Sequence, residues 1–326
     1  MTQETRANKK PPKATQTIRW LSSLVGFLVL LLGLSIYANR TLWQRARDHY
    51  IGVNATRLNP VGLTSFINSE VPAKSEQIRV IFYGDSRAAV WPIPILKGSS
   101  LEEPEEKREE KRGKEREDPE KSALETVPIA GYEFINRGLG SQTSIQALQR
   151  FQAQISPLQP DVVVIQVGIN DIKAIGLFPN QTQKILSDVR THIEQLVIQA
   201  EATGAVVILS SIFPIGKVPL SRRFSLRSYP FWLSDAIEPA IVDVNQYLKE
   251  ITKADNKNSV KSKSIWFDSY AILANEQGQI KQEYLADELH LNEQGYEVLN
   301  QALAETLIEV SKTLTQDDKV PTANQN

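Results

Sequence analysis

The feature that most restricts the fold of this chain is an uninterrupted apolar run near its centre. Residues 161–167 read Asp-Val-Val-Val-Ile-Gln-Val. β-Branched residues favour extended backbone, and a strand that is apolar on both sides is typical of a parallel sheet with helices on both faces. Shorter runs of the same kind alternate along the chain with segments of helical spacing. The sequence therefore predicts an α/β fold with a doubly wound parallel sheet.

Five strands and four helices are predicted for this part of the chain. The strands are expected over residues 78–84, 132–136, 161–167, 205–212 and 264–268. The helices are expected over residues 144–155, 181–203, 236–251 and 292–312, where apolar residues recur every three or four positions.

A serine follows the first predicted strand directly. The run that starts at Ile78 ends in Gly84-Asp85-Ser86. Ligands of open α/β sheets bind at the carboxyl ends of the strands, so this serine is expected to project its hydroxyl into the ligand crevice. Taken alone, the same residues suit a turn in which Asp85 or Ser86 caps a helix.

Three further segments have glycine or polar residues at comparable places. The second strand ends in Asn136-Arg137-Gly138-Leu139-Gly140, where glycines let backbone amides approach a ligand. The central strand is followed by Gly168-Ile169-Asn170-Asp171, and Asp287-Glu288-Leu289-His290 precedes the last helix. A carboxylate three residues from an imidazole can fold back onto Nδ1 and leave Nε2 to face a nucleophile. Each segment alone is also compatible with an ordinary turn or helix cap.

Composition narrows the possible chemistry. The 326-residue chain has a formal net charge of −1, which gives no electrostatic reason to expect a nucleic acid partner. It has no cysteine, so disulfides, thiolate metal ligands and cysteine nucleophiles are excluded. Its three histidines are His49, His192 and His290; the first is expected near the membrane and the second on a helix surface.

An apolar segment near the N-terminus predicts a membrane anchor. Residues 20–38 are nineteen residues without a charge, bounded by Arg19 and Arg40. As a helix they span roughly 28 Å, close to the ~30 Å hydrocarbon thickness of a bilayer. A buried core helix and a cleaved signal peptide are the alternatives, and the length and uniform apolarity favour an uncleaved anchor. The short basic tail favours a cytoplasmic N-terminus and an extracytoplasmic location for the large domain that follows.

The predicted organisation is a basic tail, the anchor, a connecting segment, one α/β domain and a polar tail. Their bounds are 1–19, 20–38, 39–75, 76–312 and 313–326. Seventeen of the twenty-one residues 101–121 are charged, so the surrounding insertion, residues 97–127, is expected to be solvated and disordered. An aromatic-rich segment, residues 222–233, is either a substrate lid or a packed surface loop.

Taken together, the four turn segments resemble the SGNH (GDSL) hydrolase family, whose four blocks carry Ser, Gly, Asn and His in this order. The resemblance covers about residues 76–312. It implies a three-layer α/β/α, flavodoxin-like fold with about five parallel strands. The charged insertion departs from the family pattern, as does Arg87, where many members have leucine or isoleucine. The change at Arg87 leaves the substrate preference open.

The resemblance also implies a role for each signature residue. Ser86 is expected to be the nucleophile, His290 the general base and later acid, and Asp287 the carboxylate that orients it. The oxyanion hole is expected to consist of the amides of Ser86 and Gly140 and the side-chain amide of Asn170. No cofactor or metal is implied.

The function expected from these residues is cleavage of acyl or acetyl esters of a lipid or saccharide. The alternative is acyl transfer to a cell-wall or secreted polysaccharide with the same residues, because the choice between water and a sugar as acceptor depends on loop shape. Two further readings are a non-catalytic anchored binding module and a metal-dependent phosphoesterase. The complete set of signature residues disfavours the first, and the shortage of histidines disfavours the second.

Overall fold

The chain forms two units, which are described separately. The computed structural model describes residues 13–66, 69–96, 127–128, 131–219, 233–253 and 264–317. The predicted insertion, apart from residue 127, and the aromatic-rich segment, apart from Leu233, lie outside the described residues.

The first unit contains one long helix, α1, Lys13–Leu58. Its 46 residues include the predicted anchor and continue through the charged residues beyond Arg40. The first part of the predicted connecting segment, residues 39–58, is therefore helical and continuous with the predicted anchor. The segment after the anchor has no proline before Pro60, and a residue that precedes proline is disfavoured in helical conformation. Within α1, the stretch Thr17–Gly52 contains an 18-residue window with a mean hydropathy of 2.2, long and apolar enough to cross a membrane.

The second unit is built on a parallel sheet of five strands. In chain order these are β1 Ile78–Gly84, β2 Tyr132–Asn136, β3 Val162–Gln166, β4 Val206–Ser210 and β5 Ser264–Phe267. Their order in the sheet is β2-β1-β3-β4-β5, and every neighbouring pair is parallel. The central position of β3 agrees with its fully buried Val162–Gln166 sequence. The predicted five-stranded parallel sheet is confirmed.

Helices follow the strands on both sides of the sheet. In chain order they are α2 Ser86–Ala89, α3 Ser144–Gln154, α4 Ile169–Ile172, α5 Ala174–Leu177, α6 Thr182–Glu201, α7 Ile237–Ile251, α8 Ser269–Leu273 and α9 Glu293–Asp317. A short antiparallel pair, Ile95–Leu96 with Val127–Pro128, flanks the residues that are not described.

Two hydrophobic cores lie on opposite faces of the sheet because side chains alternate along each strand. Ile81 and Val163 point to the core that contains α3, α6 and α7. Val80 and Val164 point to the core that contains α9 and Trp91. The result is three layers, with helices on both faces, as predicted. The carboxyl ends of the strands remain free to carry the polar turns.

Candidate active site

The predicted site segments lie at the carboxyl edge of the sheet. Ser86 follows β1, Gly140 lies between β2 and α3, and Asn170 follows β3. Asp287 and His290 lie in the loop before α9. The structure thus brings residues from four distant parts of the sequence to one region, and their contacts decide what the region can do.

The turn that carries Ser86 needs glycine at position 84. Gly84 has φ of +147°, and a Cβ built on it lies 1.8 Å from the carbonyl oxygen of Gln166 on the neighbouring strand. Asp85 follows as the N-cap of α2, and its side chain accepts a hydrogen bond from the amide of Arg87. The cap predicted for Asp85 is therefore present, and it leaves Ser86 half-buried at the first helical position.

The loop before α9 holds an imidazole beside a carboxylate. The two oxygens of Asp287 lie 2.9 and 3.1 Å from Nδ1 of His290. Oδ1 of Asp287 also accepts hydrogen bonds from the amides of Leu289 and His290, at 2.8 Å each. The carboxylate therefore fixes both the backbone of the loop and the ring of the histidine, and an ionised carboxylate favours the tautomer with the proton on Nδ1.

The other ring nitrogen of this histidine faces the serine. Nε2 of His290 lies 3.0 Å from Oγ of Ser86, although the two residues are 204 positions apart. With Nδ1 protonated, Nε2 is the acceptor and the serine hydroxyl is the donor. Such an arrangement can remove the proton from a serine as the oxygen attacks a carbonyl carbon.

The three predicted oxyanion-hole donors lie in the turns that follow β1, β2 and β3. Within the described part of the chain, no hydrogen bond uses the backbone amide of Ser86 or of Gly140. The side-chain amide of half-buried Asn170 donates to the carbonyl of Gln142 at 2.9 Å. An amide nitrogen has two hydrogens, so this bond orients Asn170 and leaves a second donor.

The turn after β2 packs closely on the serine helix. A Cβ at Gly138 comes within 2.2 Å of the amide nitrogen of Ala89, so the approach of these backbones requires glycine there. A Cβ at Gly140 meets nothing within 4 Å, so the fold leaves open space beside that residue. Ser141 adopts φ of +63°, a left-handed conformation that side chains disfavour. Such conformations are found preferentially where a ligand is bound.

One connected group of polar residues was not predicted. The hydroxyl of Ser144 donates to Asp171 at 2.7 Å and lies 3.1 Å from Nδ1 of His192, while its amide donates to the second carboxylate oxygen at 2.8 Å. His192 is therefore half-buried and bonded, not a free surface residue. Asp171 joins the turn after β3 to the start of α3. The sequence signal for it was only the capping pattern.

Burial raises the pKa of two carboxyl groups near the site. It raises the pKa of Asp85 to about 6, against the opposing effects of the Arg87 guanidinium and of hydrogen bonds from the backbone. It likewise raises the pKa of Asp171 to about 6, although the hydrogen bonds from Ser144 favour the ionised form. Both carboxyls therefore take up a proton at a higher pH than an exposed aspartate does.

Asp287 is shifted in the opposite direction. Burial alone would raise its pKa, but the hydrogen bonds from His290 and from two backbone amides outweigh burial and lower it. This carboxylate is therefore ionised throughout the neutral range, which suits a partner for an imidazolium ion. Among the described residues there is no group of three or more His, Cys, Asp or Glu side chains arranged to hold a metal ion.

Comparison with known families identifies the fold and the enzyme class. The sequence model of the GDSL-like lipase/acylhydrolase family matches residues 82–298, which include all five residues predicted to form the site. The chain belongs to this family. The resemblance drawn from the four turn segments is confirmed, and membership of the GDSL family makes the protein a serine esterase.

Solved structures of GDSL proteins share the same fold. A predicted acylhydrolase of Bacteroides fragilis is 22% identical, with a TM-score of 0.53 over 78% of this chain and 98% of that one. A GDSL-like lipase of Bacteroides thetaiotaomicron is 20% identical, with a TM-score of 0.51 over 76% of this chain and 98% of that one. No curated protein matches the chain significantly. The predicted fold class is confirmed.

Proposed function

We propose that this GDSL protein hydrolyses carboxylic esters with Ser86 as nucleophile, His290 as general base and acid, and Asp287 as the orienting carboxylate. The observation that carries the proposal is the continuous chain of contacts across the imidazole. Nε2 lies 3.0 Å from the serine oxygen, and Nδ1 lies 2.9 Å from the carboxylate. The order nucleophile, base and carboxylate is the one that serine catalysis requires.

The reaction follows from these positions. His290 accepts the hydroxyl proton of Ser86 as Oγ bonds to the ester carbonyl carbon, and Asp287 stabilises the resulting imidazolium. The tetrahedral intermediate collapses when the imidazolium returns the proton to the leaving alcohol, whose bond to carbon breaks. A water molecule then attacks the carbonyl carbon of the acyl-serine while His290 accepts its proton, which gives a second tetrahedral intermediate. This intermediate collapses as the imidazolium returns the proton to Oγ, which releases the acid and restores Ser86.

The charge that develops on the carbonyl oxygen needs fixed donors. We assign this role to the amides of Ser86 and Gly140 and to the second side-chain hydrogen of Asn170. Removal of one such donor lowers turnover by ~10²–10³-fold in enzymes of this type. The bond from Asn170 to Gln142 supports the proposal because it holds the amide in one orientation before substrate binds.

The proposed substrate is an acyl or acetyl ester of a lipid or a saccharide, cleaved by a membrane-anchored enzyme. Thr17–Gly52 is long and apolar enough to span a bilayer, and none of its most apolar stretch is buried inside the protein. An extracytoplasmic catalytic domain would give access to cell-surface or secreted esters. Acyl transfer to a sugar uses the same steps, with the sugar hydroxyl in place of water.

The test of the chemistry is hydrolysis of short- and long-chain p-nitrophenyl esters by the full-length protein in detergent. Ser86→Ala and His290→Ala should each lower kcat by about 10⁶-fold, because the residues act as a unit. Ser65→Ala and His49→Ala are matched controls, since both residues are exposed, and should retain wild-type turnover. Substantial turnover by a folded Ser86→Ala variant would refute the assignment.

Two further measurements test the acceptor and the anchor. Adding a saccharide acceptor and analysing products separates hydrolysis from acyl transfer: a new sugar ester means transfer.

Full-length protein should stay with membranes after alkaline carbonate extraction, whereas the double variant Leu28→Arg/Leu32→Arg should be released. A charged residue at the centre of a membrane helix disfavours insertion by ~3 kcal/mol. Equal retention of both proteins would contradict the anchor.

A further inference from the structure

Arg87, the residue directly after the proposed nucleophile, is completely buried. Its side chain has 0% exposure although it carries a charge. Burial lowers its pKa to about 10, opposed chiefly by the nearby carboxylate of Asp85. A buried guanidinium is tolerated only where its N–H groups are used in hydrogen bonds. The partners of those groups therefore indicate what the residue does.

The guanidinium of Arg87 donates to three backbone carbonyls on two other loops. Nε donates to Leu289 at 2.9 Å, in the loop that carries His290. The two terminal nitrogens donate to Phe213 at 2.9 Å and Pro214 at 3.1 Å, just beyond β4. The rigid fork of the guanidinium thus joins the serine turn to both loops at once.

A second contact fastens the backbone of the same residue. The hydroxyl of Tyr296, on α9, donates to the carbonyl of Arg87 at 2.9 Å. Leu289 and Tyr296 lie on either side of His290 in sequence, so the segment that carries the imidazole is tied to Arg87 before and after the histidine. Each side-chain nitrogen of Arg87 makes one of these hydrogen bonds, and the residue has no exposed surface that could contact a substrate.

We propose that Arg87 is a positioning residue whose buried guanidinium holds the loop of His290 at hydrogen-bonding distance from Ser86. The serine and its neighbour are consecutive, and so are Leu289 and His290. The hydrogen bond between Arg87 and Leu289 therefore joins the direct sequence neighbours of Ser86 and His290. It restricts how far Nε2 of His290 can move from Oγ of Ser86, which lies 3.0 Å away. This role answers the question that the sequence left open at Arg87, because a buried side chain cannot select the substrate directly.

Arg79, in the strand that leads to Ser86, provides a control. It is 1% exposed and donates to the carbonyls of Leu158, Pro72 and Ala73. It lies near the beginning of β1, whereas Arg87 follows its end. Both residues are buried arginines bonded to three carbonyls. Arg79 also forms an ion pair with Glu133 at 2.8 Å, and of the two only Arg87 is bonded to the loop of His290. A purely structural role predicts that substitution of either arginine lowers stability and leaves the kcat of the folded protein unchanged.

The experiment compares Arg87→Ala and Arg87→Lys with Arg79→Ala and Arg79→Lys in the full chain, and it rests on the proposed triad. Thermal unfolding, kcat and KM are measured for each folded variant. Arg87→Ala should lower kcat by about 100-fold with KM within about threefold, because a shift of ~1 Å in catalytic geometry has that effect. Arg87→Lys should lose about tenfold, since an ammonium cannot reach all three carbonyls. The Arg79 variants should lose stability but keep kcat within about twofold.

Rescue of kcat by added guanidinium distinguishes a positioning role of Arg87 from a purely structural one. Millimolar guanidinium should raise the kcat of Arg87→Ala at least tenfold by filling the vacated site, and should leave Arg79→Ala unchanged. If Arg87→Ala does not fold, the lysine variant decides. Wild-type kcat in a folded Arg87→Ala or Arg87→Lys, or equal loss in the Arg79 variants, would overturn the proposal.

A fluorophosphonate phosphonylates an activated serine and releases fluoride. Labelling with this reagent distinguishes an error in the role of Arg87 from an error in the proposed triad. Wild-type protein should label rapidly, Ser86→Ala should not label, and Arg87→Ala should label about 100-fold more slowly. If the wild type and Ser86→Ala label equally, the proposed nucleophile is wrong, and the role of Arg87 falls with it. If only the Arg87 variants match the wild type, the triad stands and the positioning role is wrong.

Discussion

Replacing Asp287 by asparagine separates the charge of this residue from its structural contacts. An asparagine oxygen can still accept the two 2.8 Å hydrogen bonds from the amides of Leu289 and His290. Its NH₂ group, however, would face Nδ1 of His290 in place of a carboxylate oxygen. The imidazole then keeps its proton on Nε2, which faces Ser86 and can no longer accept the serine proton.

The size of the effect follows from the geometry. Two unit charges about 4 Å apart attract by ~4 kcal/mol at an effective dielectric constant of ~20. The Asp287 side chain is 41% exposed, so solvent screening reduces the attraction for the imidazolium to roughly half of that. A loss of ~2 kcal/mol lowers kcat about 30-fold, and the wrong tautomer adds to it. We therefore expect a decrease in kcat of about 30- to 1,000-fold.

The assay measures kcat with a p-nitrophenyl ester together with the free energy of unfolding. Asp287→Asn should unfold like the wild type because the loop contacts persist. Asp287→Ala should lose the same activity and also about 2 kcal/mol of stability, at ~1 kcal/mol for each lost hydrogen bond. A folded Asp287→Asn variant with more than a third of wild-type kcat would show that the carboxylate does not orient the base.

Three other changes test the surroundings of the site. Gly84→Ala should destabilise the fold by at least ~3 kcal/mol in denaturant unfolding, because its φ is positive and its Cβ would overlap the carbonyl of Gln166; near-wild-type stability would contradict the described turn. Gly140→Ala should change stability by less than about 1 kcal/mol, since its Cβ has free space, but should raise KM if that space receives substrate. For Asp171, a pKa raised to about 6 means that the folded state binds the proton more tightly than the unfolded state. Its contribution to stability is therefore present below pH ~4 and is lost as pH rises through 6, by up to ~3 kcal/mol. The free energy of unfolding should therefore be larger at pH 5 than at pH 7 because of Asp171, and Asp171→Asn should reduce this difference. An unchanged difference would contradict the raised pKa of Asp171.

The sheet could be read from the sequence because its signals are local. Each strand is an apolar β-branched run, and the run that begins at Ile78 is closed by a glycine that the packing requires. The order of the four polar turns also identified the family. The bounds of the helices were less certain where charge replaced apolarity: α1 was expected to stop near Ala38, yet a change in polarity without proline does not end a helix.

The contacts that organise the site are not readable from sequence because they join distant residues. Nothing near Arg87 indicates that its partners are carbonyls at Phe213 and Leu289, and an arginine after a serine is equally plausible as a substrate contact. The bond between Ser144 and His192 likewise depends on how α3 packs against α6. Hydrogen bonds to backbone carbonyls leave no residue pattern, since every residue type has a carbonyl.

The distance in sequence between Ser86 and His290 has a consequence for biogenesis. Ser86 and His290 are 204 positions apart, and the chain between them includes four of the five strands, so the two side chains come together only when those strands have been placed in the sheet. Contacts of such long separation form late in folding because their loop entropy must be overcome first. If Ser86 and His290 act as proposed, an incompletely folded chain is inert towards esters. Activity in a membrane fraction reports the amount of fully folded enzyme and excludes immature chains.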